Sequence, residues 1–397
     1  MIADRVNEIA ISETMHIAAE AKKLKAEGVD VINLSMGEPD FPTPHNIKEA
    51  GKTGIEENHT RYTINSGTIE LRTAIQAKLK RDNHLDYKLN EIIVSSGAKQ
   101  SCYNAVLSTV NPGDEVIIPS PYWVSYPAMV NLAGGKVIVI ETNEKNGFRI
   151  NPEQLEKAVS PKTKMFILCN PSNPTGSAYN KKELEALAKV AEKGNFYILA
   201  DEIYEKMVYN DFEFYSFATI APKLRNRIIL VNGISKSYAM TGWRIGYTAA
   251  NEHIIEGMNK IQSHSTSHPS SVSQFAAIEA LTGPQYVINE MFIEFRKRRE
   301  FLYNELISIK GITCYKPEGA FYLFPNISAY MHKHSKVLQV ENSFDFAMHL
   351  LYEAHIAVVP GNAFGADGHL RISYATSMEN LKEAVIRLKK ALAKLEV

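Results

Sequence analysis

The sequence predicts an α/β fold: a seven-stranded, mostly parallel sheet in a large domain, joined to a smaller α+β domain. Three observations carry this expectation. Between residues 91 and 250, seven apolar, β-branched runs alternate with helical stretches, the pattern of strands linked by crossover helices. Five of the seven runs end at residues with chemical potential, and ligands of open α/β sheets bind outside the carboxyl ends of the strands. From about residue 291 the pattern changes to a charged helix, three short strand-like runs and a closing amphipathic helix. The expected division is therefore a large domain over 46–290 and a small one over 291–397, which residues 1–45 complete.

The 397-residue chain is 45% hydrophobic and 22% charged, ordinary for a soluble globular protein. Lys+Arg and Asp+Glu stand at 44 each, so no excess charge points to nucleic acid or a membrane surface. Cys102, Cys169 and Cys314 are scattered and odd in number. They form neither a disulfide framework nor a metal-ligand spacing, which fits a reducing compartment. MIADRVNEIA puts charges where a signal peptide needs an apolar core, and no apolar run approaches ~20 residues. The expectation is a cytoplasmic protein without a metal site.

Residues 12–27 read as an amphipathic helix that Ser12 caps, Ile17, Ala18, Ala21 and Leu24 line, and Gly28 ends. VINLSMGEPDFPTP (31–44) is a short apolar run breaking into a proline-fixed loop, where Gly37 lets a ligand approach the backbone. HTRYTINSGTIELR (59–72) is turn-rich and then starts a helix. The seven runs are EIIVSS (91–96), EVIIPS (115–120), KVIVIE (136–141), KMFILCN (164–170), NFYILAD (195–201), RIILVN (227–232) and GYTAA (246–250). After the first, Gly97-Ala98-Lys99 opens a helix whose unpaired N–H groups and dipole suit an anion. After the second, Tyr122-Trp123 offers a flat aromatic face. Asn173 follows the fourth within the rigid loop NPSNPTG (170–176), where the Asn173-Pro174 bond is a candidate cis peptide. Asp201 ends the fifth, with Tyr204 three residues on. The late strands are expected at FYLFPN (321–326), AVVPG (357–361) and LRISYA (370–375), the last carrying Arg371. Leu381, Ala384, Val385, Leu388 and Leu392 share one face of the closing helix.

The sixth run leads into NGISKSYAMTGWRIGY (232–247), the most informative stretch. Lys236 stands between Ser235 and Ser237 at the end of an apolar run. Desolvation there favours the neutral amine, the form that Schiff-base chemistry needs. The serine hydroxyls and the Arg244 guanidinium are a donor set for a phosphate dianion. Together they describe a lysine holding an aldehyde cofactor that carries a phosphate: pyridoxal 5′-phosphate. A buried Asp201 would keep the pyridine nitrogen of such a cofactor protonated, so that the ring acts as an electron sink.

With GEPDF, PYW, NPSNPTG, ADEIYE and LRISYA in order around that stretch, nearly the whole chain resembles the aspartate aminotransferase family. These are fold-type I, class I/II, pyridoxal-phosphate-dependent aminotransferases. The resemblance implies Lys236 as the Schiff-base lysine, with Asp201 and Tyr204 beside it in catalysis. It implies Gly97, Ala98, Lys99, Trp123, Asn173, Ser235 and Arg244 around the cofactor. It also implies that Tyr62 reaches the cofactor phosphate of a partner subunit, in a homodimer with shared active sites. Around the substrate it implies Gly37, Lys99, Trp123, Asn173 and Arg371, with Arg371 holding the α-carboxylate. One branch of the family grips the distal carboxylate with an arginine between 261 and 295; that interval here has no lysine or arginine, which leaves Lys99.

The activity so implied is transfer of the amino group of an L-amino acid, L-aspartate foremost, to 2-oxoglutarate by a ping-pong route. Aromatic or neutral amino acids, prephenate, and a pyridoxal-phosphate-dependent C–S or β-lyase reaction stay open, as does a non-catalytic ligand-sensing module. Relatives that take prephenate use a lysine near the N-terminus; here Arg5 is the only lysine or arginine among the first twenty residues, which weighs against prephenate.

Overall fold

The computed structural model describes residues 2–7, 13–209, 212–333 and 339–395. All seven runs become strands: β1 (Ile92–Ser95), β2 (Glu115–Ser120), β3 (Lys136–Glu141), β4 (Thr163–Cys169), β5 (Tyr197–Asp201), β6 (Ile228–Gly233) and β7 (Gly246–Ala249). They form one sheet in the order β1-β7-β6-β5-β4-β2-β3. β7 runs antiparallel to β1 and β6, and every other pairing is parallel.

Successive residues of a strand face opposite sides of the sheet. Along six of the strands both sides are covered, which is why those runs are apolar and do not alternate, whereas the edge strand β3 keeps Val139 44% exposed. Ile92, Val94, Phe166, Leu168, Ile198, Ala200, Ile228 and Leu230 enter one core. Ile93, Val116, Ile118, Met165, Ile167, Leu199, Ile229 and Val231 enter the other. The crossover helix Lys181–Lys193 shows how the sequence sets a boundary: Asn180 caps the Glu183 N–H at 3.1 Å, and Glu183 returns a bond to the Asn180 N–H at 2.8 Å. Its Leu184, Leu187, Ala188 and Ala191 are buried on the face toward the sheet.

A second, three-stranded sheet is built from Tyr322–Leu323, Val359–Pro360 and Leu370–Ser373, with the last in the middle and antiparallel to both neighbours. These strands are shorter than the runs that signalled them. Pro325 and Pro360 carry no N–H, so the ladder ends beside them. Ile32–Asn33 pairs in parallel with Ile356–Ala357, which brings the Gly37 loop to the same side as this sheet. The charged helix runs Asn289–Ile307, and the closing helix Met378–Leu392 buries Leu381, Ala384, Val385, Leu388 and Leu392 as expected.

The first long helix, Glu13–Ala26, corrects one detail. Ile17 and Ala21 are buried and Leu24 is half-buried, but Ala18 is exposed. Its position one residue past Ile17 turns it about 100° around the axis, off the narrow apolar stripe. The proposed cap Ser12 lies outside the described residues. Among the described residues no helix is long and apolar enough to cross a membrane.

Candidate active site

The carboxyl ends of β2, β4, β5 and β6, the start of the helix Ala98–Thr109 and the three-stranded sheet enclose a cavity of about 350 Å³. Eleven predicted residues line it: Gly37, Ala98, Lys99, Trp123, Asn173, Asp201, Tyr204, Ser235, Lys236, Arg244 and Arg371. They come from sequence positions more than 300 residues apart.

Lys236 follows β6 and donates from Nζ to the Gly37 carbonyl. Burial lowers its pKa to about 8; Glu38 pulls the other way, while Arg371 and Arg244 add to the lowering. The amine is thus far easier to deprotonate than a free lysine. Asp201 closes β5 and is 4% exposed. Its carboxylate accepts from Tyr126 Oη at 2.7 Å, the Ile203 N–H at 3.3 Å and Cys102 Sγ at 3.7 Å. Burial raises its pKa, these donors lower it, and no cation pairs with it among the described residues. A buried carboxylate served only by neutral donors, at the edge of a cavity, suits a cationic N–H.

The opposite polarity occupies the rest of the wall. Arg244 adopts the left-handed conformation (φ 57°) and donates to the carbonyls of Thr241 at 2.9 Å and Ser96 at 3.2 Å, with no acidic partner among the described residues. Ser235 is buried beside it, and the first-turn N–H groups of Ala98 and Lys99 have no intrahelical acceptor. Gly97 does not line the cavity itself. Its φ is +87°, and a Cβ there would lie 2.4 Å from Arg244 Nη2, so the missing side chain makes room for the guanidinium.

Arg371, on the central strand of the smaller sheet, is 7% exposed yet also lacks an acidic partner among the described residues. It donates to Asn173 Oδ1 at 3.1 Å and to the Ser35 carbonyl at 2.6 Å, and its Nε has no acceptor. The guanidinium lies over the rings of Tyr322 (4.6 Å) and Phe364 (5.3 Å). Lys99, exposed in the same cavity wall, has its Nζ 5.1 Å from the Trp123 ring centroid. Its pKa is lowered by desolvation first and by Arg244 second. Trp123 is half-buried and steadied edge-on by Tyr126 at 5.2 Å. Asn173-Pro174 is cis, as are Ser120-Pro121 and Asn170-Pro171.

Tyr62 does not join this constellation. It is 95% exposed and touches His268 edge-on at 5.7 Å, outside the cavity. In return, Tyr126, Cys169, Ile203, Thr241 and Tyr322 line the wall without having been foreseen. Tyr126 had a weak signal, three positions past Trp123 at the start of a helix. Tyr322 had none, since a tyrosine inside FYLF reads as core.

The site fits pyridoxal phosphate: an unpaired carboxylate for a ring N–H, a lysine easily deprotonated, and hydroxyl, guanidinium and helix N–H donors for a phosphate. Comparison with known proteins agrees. The family model for aminotransferase class I and II matches residues 29–388. A probable aspartate/prephenate aminotransferase of Rickettsia felis is 48% identical, over 100% of this chain and 98% of that one. The crystal structure of the aspartate aminotransferase from Rhizobium meliloti superposes with a TM-score of 0.96 at 44% identity, covering 100% of both chains. That of the Thermus thermophilus aspartate aminotransferase with maleate gives 0.92 at 39% identity, over 98% of this chain and 99% of that one. The chain belongs to the class I and II aminotransferases, enzymes that work with pyridoxal 5′-phosphate.

Proposed function

We propose that this protein transfers the amino group of L-aspartate to 2-oxoglutarate in a ping-pong cycle. The observation that carries the reading is charge placement. Two cations without acidic partners among the described residues, Arg371 and Lys99, line one cavity with Lys236, a pairing suited to a substrate with two carboxylates. When bound, pyridoxal phosphate supplies the aldehyde that takes up the amino nitrogen and the ring that spreads the charge left by the α-proton.

The residues divide the work by their chemistry. Ser235, Arg244 and the N–H groups of Ala98 and Lys99 hold the phosphate. Asp201 would pair with the ring nitrogen, Trp123 would stack on the ring, and Asn173 and Tyr204 would hydrogen-bond its phenolic oxygen. Arg371 grips the α-carboxylate by two parallel hydrogen bonds, for which its unpaired Nε is free. Lys99 meets the distal carboxylate. Gly37 leaves the backbone open beside the substrate, and its carbonyl accepts from Lys236 Nζ. Lys236 Nζ then takes the proton from the substrate Cα and holds it for return. We further propose that the protein acts in the cytoplasm as a homodimer in which Tyr62 completes the partner's site. Its side chain, 95% exposed in one chain, supports that role. Residues 1–45 and 291–397 would form the small domain against 46–290.

Prephenate is a second amino acceptor worth assigning. The Rickettsia felis relative carries it in its name, which supports the assignment although Arg5, not a lysine, is the only such cation among the first twenty residues. The test is the half-reaction of the purified protein with single amino acids, followed by cofactor absorbance. Conversion to the amino form by aspartate and glutamate supports the proposal. Release of pyruvate and ammonia from cysteine or serine, without that conversion, would move the protein to the lyases.

A further inference from the structure

Tyr322 stands where two parts of the site meet. It belongs to the smaller sheet and is fully buried, and its hydroxyl lies 2.9 Å from that of Tyr204, which follows β5 of the larger sheet. Its ring face carries the Arg371 guanidinium at 4.6 Å. Both phenols are raised by burial, so both keep their protons and one must donate to the other. Either hydroxyl can donate in this bond, and the Arg371 guanidinium over the Tyr322 ring polarises that O–H and favours Tyr322 as the donor. The Tyr204 oxygen then accepts, and its own O–H is left to point elsewhere, with the cavity on its open side.

We propose that Tyr322 is a positioning residue that links the Arg371 guanidinium to the hydroxyl of Tyr204. The inference rests on the reading above, in which Arg371 receives the α-carboxylate and Tyr204 donates to the phenolic oxygen of the cofactor. The ring of Tyr322 holds the guanidinium plane in place, and its hydroxyl fixes which way the Tyr204 proton points. These two functions use different atoms and are separable by substitution. Tyr322→Phe keeps the ring and removes the hydroxyl; Tyr322→Leu removes both.

The experiment uses the pyridoxal-phosphate-loaded protein and has two readouts besides turnover: the pH midpoint of the cofactor absorbance change, and the Kd for maleate. A donor on the phenolic oxygen stabilises its anionic form, so weakening that donor lets the neighbouring nitrogen keep its proton to higher pH. Tyr322→Phe is expected to raise the midpoint by about 0.5–1 pH unit, the scale of one net hydrogen bond, and to leave the maleate Kd within about twofold. Tyr322→Leu is expected to raise the midpoint similarly and also to raise the maleate Kd by about 3- to 10-fold, as the cation loses its aromatic support. A midpoint unmoved in Tyr322→Phe, with wild-type maleate binding intact, overturns the link and leaves the function standing. Failure of the wild-type protein to bind maleate overturns the reading of Arg371 itself, and the link with it.

Discussion

Removing the Lys99 ammonium tests substrate choice most directly. Lys99 is the second residue of the helix Ala98–Thr109, is exposed, and forms no ion pair among the described residues. Lys99→Ala therefore leaves no buried partner unpaired, and alanine is the best helix former, so the fold is unaffected. A hydrogen bond between charged groups contributes about 1.5–3 kcal/mol, and the exposure of Lys99 places it toward the lower half, about 1.5–2 kcal/mol. At 1.4 kcal/mol per factor of ten, the half-reaction kcat/KM for aspartate and glutamate should fall about 10- to 30-fold. Alanine, with no distal carboxylate, should react at the wild-type rate within about twofold. The assay is single-turnover cofactor absorbance against amino-acid concentration. An equal loss for alanine and aspartate would show that Lys99 acts through the cofactor; no loss for aspartate would show that another group receives the distal carboxylate. Either result refutes the two-cation argument.

Two further outcomes follow from the wall of the cavity. Capture of pyridoxal phosphate by the cofactor-free protein should speed up as pH rises and level off above about 8, because the neutral Lys236 amine is the reactive form; a rate still climbing toward the ordinary lysine value near 10.4 contradicts the assigned burial effect. Tyr126→Phe removes the 2.7 Å donor from Asp201 and so disfavours its ionised form, which should weaken pyridoxal phosphate binding about 5- to 50-fold by equilibrium titration while the melting temperature changes by only a few degrees. Unchanged cofactor affinity would mean that Asp201 is held without Tyr126.

Legibility differed by the range over which each signal acts. Six of the seven strands were readable because burial on both faces imposes an apolar run, and each run is local; the edge strand β3, with Val139 44% exposed, was readable from its β-branched residues alone. Their carboxyl ends pointed to the site for the same reason, since the strand-end rule needs only strand direction and order along the chain. The short strands near Tyr322 and Val359 were readable in place but not in length, because prolines cut the ladder within them. Ala18 was misplaced by one position on a helix whose apolar stripe, among the described side chains, is Ile17, Ala21 and Leu24.

From the sequence alone follow the α/β class, the residue types a phosphate-bearing aldehyde cofactor needs, and, through ordered motifs, the family to which they belong. Tertiary structure decided which polar groups remain unpaired. Among the described residues Asp201 is a buried carboxylate with neutral donors only, Arg371 a buried guanidinium with an unused Nε, and Lys236 an amine brought to about 8 by burial. None of this is visible in one dimension, because a desolvation cost depends on every group packed around a charge. The Tyr322–Tyr204 bond makes the same point, joining residues 118 positions apart from two different sheets. The chain order names the reactive groups, while the packing sets their charge and the direction of their protons.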